Sequence, residues 1–281
     1  MTKFDANWLK AEEAKRKYMA ENGLYSEAEE HASCGVGLVV SINGAPSRKV
    51  VQAGIDALKA VWHRGAVDAD GKTGDGAGIH VQIPVPFFYN QIERTGHTPR
   101  MDELMAVGQV FLPRTDFGAQ ETCRTIVETE VLRMGYYIYG WRHVPVNVSC
   151  LGEKANTTRP EIEQLLVSNS KGVDEETFER ELYVIRRRIE KAAQAAGIHG
   201  LYLASLSCRS IIYKGMFLAE DMSEFYPDLK DERFESAFAL YHQRYSTNTF
   251  PQWWLAQPFR MLAHNGEINT LKGNTNWMKS H

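Results

Sequence analysis

The chain has 281 residues, of which 43% are hydrophobic and 24% are charged, and its formal net charge at pH 7 is -3. This composition is typical of a soluble globular protein, and it offers neither the basic excess of a nucleic-acid-binding protein nor a run of 18 apolar residues that would span a membrane. The four cysteines are widely spaced without a CxxC pair, which argues against a zinc or iron–sulfur site in this segment and favours a reducing, cytoplasmic location.

Residues 1–33 differ in composition from the rest of the chain. The stretch from Asn7 to Asn22 is rich in helix-forming residues, and Gly23 is a natural helix stop. This segment is too charged for a secretory signal, and its acidic residues argue against a transit peptide. We predict a leader that is removed, with an ordinary N-terminal helix as the alternative.

Cys34 stands between this segment and the strand-like stretch Val36–Val40. If the chain were cut before Cys34, one residue would carry both a thiol, with a pKa of about 8.5, and a free α-amine, with a pKa near 8. The amine could then accept the thiol proton and activate the nucleophile. The alternative interpretation is a small buried residue at the start of a strand.

Beyond Cys34 the apolar spacing predicts alternating strands and helices. Strands are expected at 35–42, 79–84, 107–112, 136–143, 200–208, 210–214, 237–246 and 261–264. Helices are expected at 50–62, 119–134 and 175–196, and the last has its apolar residues on one face: Phe178, Leu182, Ile185, Ile189 and Ala193.

The segment 63–78 is dense in glycine, which would let the backbone approach a site closely. It contains neither of the glycine motifs that bind nucleotide phosphates. A plain surface turn fits its glycine content equally well.

A second polar region follows the strand predicted at 237–246. Arg244 lies in a strand-like segment, where a half-buried guanidinium needs an anion and suits a carboxylate. Asn265 and Gly266 could supply the two donors of an oxyanion hole, although Asn-Gly is also a common hairpin turn. Together with Cys34, these residues indicate acyl transfer from a substrate that bears a carboxylate.

Four motifs resemble those of the class II glutamine amidotransferases, and the resemblance covers residues 25–281. They are Cys34-Gly35-Val36-Gly37, His63-Arg64-Gly65, the stretch from His242 to Asn248, and the stretch from His264 to Thr270. The segment from Thr249 to Arg260 is similar to the glutaminase domains of glutamate synthases in particular.

The resemblance implies an α+β fold, the four-layer αββα sandwich of the N-terminal-nucleophile hydrolases, with mostly antiparallel sheets. It implies that Cys34 becomes N-terminal on removal of 1–33, and that 34–281 is the amidotransferase domain, truncated at its C-terminus. It further implies that Arg244 binds the α-carboxylate of glutamine, that Asn265 and Gly266 form the oxyanion hole, and that Arg64 supports the site. The acidic residue that holds the substrate amino group would lie beyond His281.

The same resemblance implies a larger polypeptide and several partners. Ammonia from glutamine would pass to a second site that uses FMN and an iron–sulfur cluster to make glutamate from 2-oxoglutarate. The partners would be the remaining synthase domains and a small reductase subunit, while residues 1–281 are assigned no cofactor or metal site.

Two alternatives remain open at this point. One is a mid-chain thiol hydrolase of the Cys–His type, with His63 or His264 as the base. The other is a non-catalytic or unprocessed assembly module.

Overall fold

The computed structural model describes residues 6–23, 26, 35–244, 250–260 and 271–280. The chain divides into two compact units, Met1–Ser33 and Cys34–His281. In the first unit, helix α1 spans Ala6–Asn22 and ends where the Gly23 amide donates to the Met19 carbonyl at 2.9 Å. Whether this unit is a removable leader stays a prediction.

The second unit contains eight strands and seven α-helices within its described residues. The strands are β1 (Gly35–Val40), β2 (Ala77–Gln82), β3 (Met105–Leu112), β4 (Tyr137–His143), β5 (Glu161–Ser168), β6 (Tyr202–Ser207), β7 (Ser210–Gly215) and β8 (Phe238–Gln243). The helices are α2 (Arg48–Ala60), α3 (Val85–Arg94), α4 (Phe117–Arg133), α5 (Glu153–Thr157), α6 (Glu175–Ala195), α7 (Met222–Phe225) and α8 (Leu271–Ser280).

The strands form two four-stranded sheets in which every neighbouring pair is antiparallel. The first sheet has the order β1-β8-β2-β7, and the second has the order β4-β5-β3-β6. Strand β8 is therefore central in the first sheet although it comes last in the chain. Strands β1 and β8, the first and the last of the eight along the chain, are therefore neighbours in this sheet.

Side-chain caps begin the two long helices of the second unit. The Asp116 carboxylate accepts from the Ala119 amide at the start of α4, and Asp174 accepts from the Thr177 amide at the start of α6. Each cap satisfies an amide that lacks a partner within its helix. The apolar residues predicted for one face of 175–196 are all buried, so that helix and its face are confirmed.

Two hydrophobic cores hold the layers together. The larger core joins residues of α2, the first sheet and one face of the second sheet, among them Ile55, Ile79 and Leu166. The smaller core joins the other face of the second sheet to α4 and α6, through residues such as Leu165 and Leu182. The predicted fold class is confirmed: helices cover both antiparallel sheets in an α+β arrangement.

A buried polar network crosses the larger core. The Arg142 guanidinium donates to both carboxylate oxygens of Asp228, at 2.6 and 2.7 Å, and also to Gln91 and Gln164. The Tyr213 hydroxyl donates to the same carboxylate at 2.9 Å. Because both charges are buried and hydrogen-bond directly to each other, this pair fixes the relative position of β4, β7 and the 227–230 turn.

The structure differs from the predictions at β8, β5 and α3, and one further predicted strand is not tested. Strand β8 ends at Gln243, so Arg244 lies just outside the strand that was predicted to continue to residue 246. Strand β5 and helix α3 were not predicted. The strand predicted at 261–264 lies outside the described residues.

Candidate active site

Three strand ends meet at one end of the first sheet. Gly35, the first residue of β1, pairs with Gln243, the last residue of β8, and Gln243 also pairs with Ala77, the first residue of β2. The chain segments that adjoin these ends are therefore neighbours. Cys34 precedes Gly35 in the sequence and Arg244 follows Gln243.

Arg244 has an unusual backbone conformation. Its φ is +79°, and it is the only described residue other than glycine with a positive φ. Its amide donates to the Gly76 carbonyl at 2.8 Å, which fixes this conformation against the start of β2. A side chain in the left-handed region costs on the order of 1 kcal/mol or more, and such strain is often retained at functional positions.

The Arg244 guanidinium faces a carboxylate. Its Nε lies 3.5 Å from the Asp75 Oδ2, and the Asp75 side chain is 9% exposed. The other Asp75 oxygen accepts from the Ala66 amide at 3.0 Å, while the Asp75 amide donates to the Ala66 carbonyl at 3.2 Å. The carboxylate is thus held by backbone on one side and faces the arginine on the other.

Asp75 was not among the predicted site residues. The sequence does show an acidic residue between two glycines, Gly74 and Gly76, within the glycine-dense segment 63–78. Glycine is needed at position 74 because an added Cβ would lie 2.3 Å from the Phe217 carbonyl oxygen. The loop glycines therefore allow close backbone packing around the acidic residue.

Arg64 is brought to the same end of the sheet by a short turn. The 3-10 helix Trp62–Arg64 follows α2, and the Gln243 side-chain amide donates to the Trp62 carbonyl at 3.1 Å. Gly65 packs on that amide, since an added Cβ there would lie 2.0 Å from Nε2. The turn is therefore docked on the residue that directly precedes Arg244.

A small cavity of about 210 Å³ lies beside the arginine–carboxylate pair. Thr73, Asp75, Met216 and Pro251 contribute to its lining. A larger cavity of about 650 Å³ lies at the opposite end of the first sheet, beside Pro84 where β2 has ended, and contains none of the predicted site residues. The larger cavity lies away from Arg244 and Asp75, whereas Asp75 itself lines the small cavity.

The described cysteines are poor nucleophiles. Burial raises the pKa of the Cys123 thiol to about 11, and burial likewise raises the pKa of Cys150 to about 11. The pKa of Cys208 is also raised, first by burial and then by the Glu179 carboxylate. Since the thiolate is the reactive form, none of these three suits nucleophilic catalysis at neutral pH.

Three of the predicted site residues lie outside the described residues: Cys34, Asn265 and Gly266. His264, one of the alternative bases, lies outside them as well, whereas His63 is exposed on the turn that carries Arg64. The structure thus brings Arg64 and Arg244 to one sheet end.

Within the described part of the chain, no group of three or more histidine, cysteine and acidic side chains is arranged to hold a metal ion. Its helices include none with the length and apolar character needed to cross a membrane.

The comparison with protein families decides the classification. The model of class-II glutamine amidotransferases matches residues 34–281. The chain belongs to this family. The predicted membership is confirmed, and the match begins at Cys34, the predicted nucleophile.

Individual members of the amidotransferase family agree with this classification. The chain is 68% identical over 257 residues to the glutamate synthase [NADPH] large chain of Azospirillum brasilense, covering 92% of this chain and 17% of that protein. It is 42% identical to the ferredoxin-dependent glutamate synthase of Oryza sativa, covering 96% of this chain and 16% of the relative. It is also 42% identical to the glutamate synthase [NADPH] large chain of Bacillus subtilis, covering 92% and 17%. The chain therefore spans about a sixth of the length of these relatives.

Proposed function

We propose that residues 34–281 hydrolyse the side-chain amide of glutamine as the glutaminase domain of a glutamate synthase. The observation that carries this proposal is the convergence of β1, β8 and β2 at one sheet end, where Arg244 faces Asp75. The family match and the high identity to glutamate synthase large chains support it.

The nucleophile in this proposal is the Cys34 thiol after removal of residues 1–33. The α-amine of Cys34 accepts the thiol proton, either directly or through water. The raised thiol pKa values of Cys123 and Cys150 support the choice of Cys34, because those side chains remain protonated at neutral pH.

Arg244 recognises the substrate as an amino acid. Its planar guanidinium can bind the α-carboxylate of glutamine with two charge-assisted hydrogen bonds. The Asp75 carboxylate faces the Nε side of the guanidinium, and the substrate would bind through the terminal nitrogens. Arg64, docked beside Gln243, supports the site from the turn that follows α2.

The chemistry then follows in two acyl-transfer steps. The thiolate attacks the side-chain amide carbon, and the negative charge on the former carbonyl oxygen is stabilised by the Asn265 side chain and the Gly266 amide. The carbon–nitrogen bond breaks as the nitrogen takes a proton from the α-ammonium, which releases ammonia and leaves a γ-glutamyl thioester. Water attacks the thioester, releasing glutamate and restoring the thiol.

The ammonia would serve glutamate synthesis from 2-oxoglutarate elsewhere in the polypeptide. That chemistry calls for FMN and an iron–sulfur cluster, but the described residues do not fit a cluster, because Cys123, Cys150 and Cys208 lie on separate elements. We assign these cofactors to the remaining synthase domains. We further propose that a small reductase subunit donates the electrons and that the protein is cytoplasmic.

Cys34→Ser tests this proposal in a glutaminase assay on the full-length protein. Cys123→Ser is the matched control, since it removes a thiol that is buried and protonated. Glutamine hydrolysis should be lost in the first variant and retained in the second. Equal rates in wild type and Cys34→Ser contradict the thiol mechanism.

A further inference from the structure

Lys214, on strand β7, is a fully buried lysine. Its exposure is 0%, and no carboxylate of the described residues forms an ion pair with it. An ammonium group without a counter-ion is costly to bury, so such a residue in a core calls for an explanation. The proposed glutaminase chemistry does not use it.

The contacts of Lys214 all connect β7 to other parts of the second unit. Its Nζ donates to the Trp254 carbonyl at 2.9 Å and to the Tyr202 hydroxyl at 3.0 Å. The same atom lies 4.7 Å from the centre of the Tyr202 ring and 4.5 Å from the centre of the Phe259 ring. Aromatic faces attract a cation, so the two rings help to stabilise the buried charge.

Two of these partners belong to one segment. Trp254 and Phe259 lie in residues 250–260, which the Lys214 ammonium therefore holds at two points. Glycine at position 78, which pairs with Lys214 across the strands, lets this segment come close. A Cβ there would lie 2.4 Å from the Gln257 carbonyl oxygen and 2.7 Å from the Lys214 Cβ.

Segment 250–260 lies between two of the predicted site residues in the sequence. Arg244 precedes the segment by six residues, and Asn265 follows its end by five. Within the described residues, Pro251 of this segment lines the small cavity together with Asp75, which faces Arg244. A displacement of 250–260 would therefore reshape the cavity beside this pair, and small errors in the placement of reacting groups reduce catalysis.

We propose that Lys214 is a positioning residue of the glutaminase, which holds segment 250–260, and with it the Pro251 wall of the small cavity, beside the Asp75–Arg244 pair. The proposal rests on the proposed function. It assigns the buried ammonium to placement of the segment and not to stability of the fold. An apolar side chain of the same length would preserve the packing and lose both hydrogen bonds.

Lys214→Met in the full-length protein tests the proposal, with the exposed Lys49→Met as matched control. We expect kcat for glutamine hydrolysis to fall about tenfold or more while KM changes less than about threefold, because misplaced reacting groups lose interactions that form in the transition state. Tm should be unchanged or higher. Amide hydrogen exchange across 250–260 should accelerate, and Lys49→Met should match wild type in all four measurements.

Tyr202→Phe provides a second variant that keeps the ring and removes one acceptor. It should lower kcat in the same direction by a smaller factor, without a fall in Tm. The inference is overturned if both variants retain kcat within about twofold of wild type, or if kcat falls only together with Tm. Failure of the proposed function would give a different result, because Cys34→Ser would then keep wild-type activity. The hydrogen-exchange measurement on 250–260 would still show whether Lys214 holds the segment.

Discussion

The Asp75 Oδ2 lies 3.5 Å from the Arg244 Nε although the two residues are far apart in the sequence. The contact exists because β8 inserts between β1 and β2, so the end of one strand meets the start of another. A hydrogen bond from the Arg244 amide to the Gly76 carbonyl reinforces the same junction. The two opposite charges therefore face each other at this end of the first sheet.

Asp75→Asn removes the charge that orients Arg244 and keeps the size of the side chain. We expect KM for glutamine to rise about tenfold, which corresponds to about 1.4 kcal/mol of lost ground-state binding. Steady-state glutaminase kinetics measure the change. Asp56→Asn, the same substitution on an exposed position of α2, should leave KM unchanged, and an equal KM in the two variants contradicts the role of Asp75.

Arg244→Ala removes the proposed ligand of the α-carboxylate. A charge-assisted hydrogen bond contributes about 1.5–3 kcal/mol, so we expect KM for glutamine to rise by roughly tenfold to more than a hundredfold. The rate of thiol alkylation by a small neutral reagent should change little. Arg180→Ala, on the exposed face of α6, is the control. An unchanged KM in Arg244→Ala would place the carboxylate elsewhere.

Much of the fold was predictable because its signals are local. The face of α6 from Phe178 to Ala193 follows helical spacing, and it packs as that spacing predicts. Strand β5 was missed because it carries buried polar residues, Glu163 and Gln164, whose partners come from elsewhere: Arg124 on α4 and Arg142 on β4. Such pairing leaves no periodic apolar pattern in the strand itself.

The candidate site was only partly predictable for the same reason. Arg244 is recognisable in the sequence as a charged residue in an apolar context. Its positive φ was not predictable, because it depends on the hydrogen bond to the distant Gly76 carbonyl. Asp75 is recognised as part of the site only when the strand order is known. The roles of Cys34, Asn265 and Gly266 come from their chemistry and from the family resemblance, and they stay predictions.

Asp228→Ala should strongly destabilise the protein. It removes the carboxylate that accepts two hydrogen bonds from Arg142 and one from Tyr213, and it leaves a buried guanidinium without its counter-ion. Breaking a buried pair in this way costs about 3–5 kcal/mol of unfolding free energy. Urea unfolding measures the loss. The exposed Lys230–Glu224 pair provides the control, and Glu224→Ala should have little effect. Similar losses in the two variants contradict the network's structural role.

Lys214 should make the stability of the protein depend on pH. Burial lowers the pKa of its ammonium from 10.5 to about 7 in the folded state, and Tyr202, whose own pKa is raised to about 12 by burial, faces it from β6. Arg260, at the end of the segment that packs on Lys214, acts electrostatically on Tyr202. Between the folded and unfolded pKa values of Lys214, the unfolded chain binds more protons, so this group makes stability rise with pH from about 7 towards 10.5.

The slope from Lys214 is at most about 1.4 kcal/mol per pH unit. Urea unfolding at pH 7, 8 and 9 measures it in wild type and in Lys214→Met. The difference in unfolding free energy between the two proteins should shift in favour of wild type as the pH rises. A difference that stays constant over this range shows that the folded-state pKa is not lowered by burial.

The N-terminal residue of the active protein decides whether Cys34 is the nucleophile. N-terminal sequencing, together with intact mass, should be carried out on a full-length preparation whose glutaminase turnover has been measured. We predict that active molecules begin at Cys34 and that their turnover is lost when the α-amine is blocked. A preparation that hydrolyses glutamine at full rate while it still begins at Met1 contradicts the proposed role of Cys34.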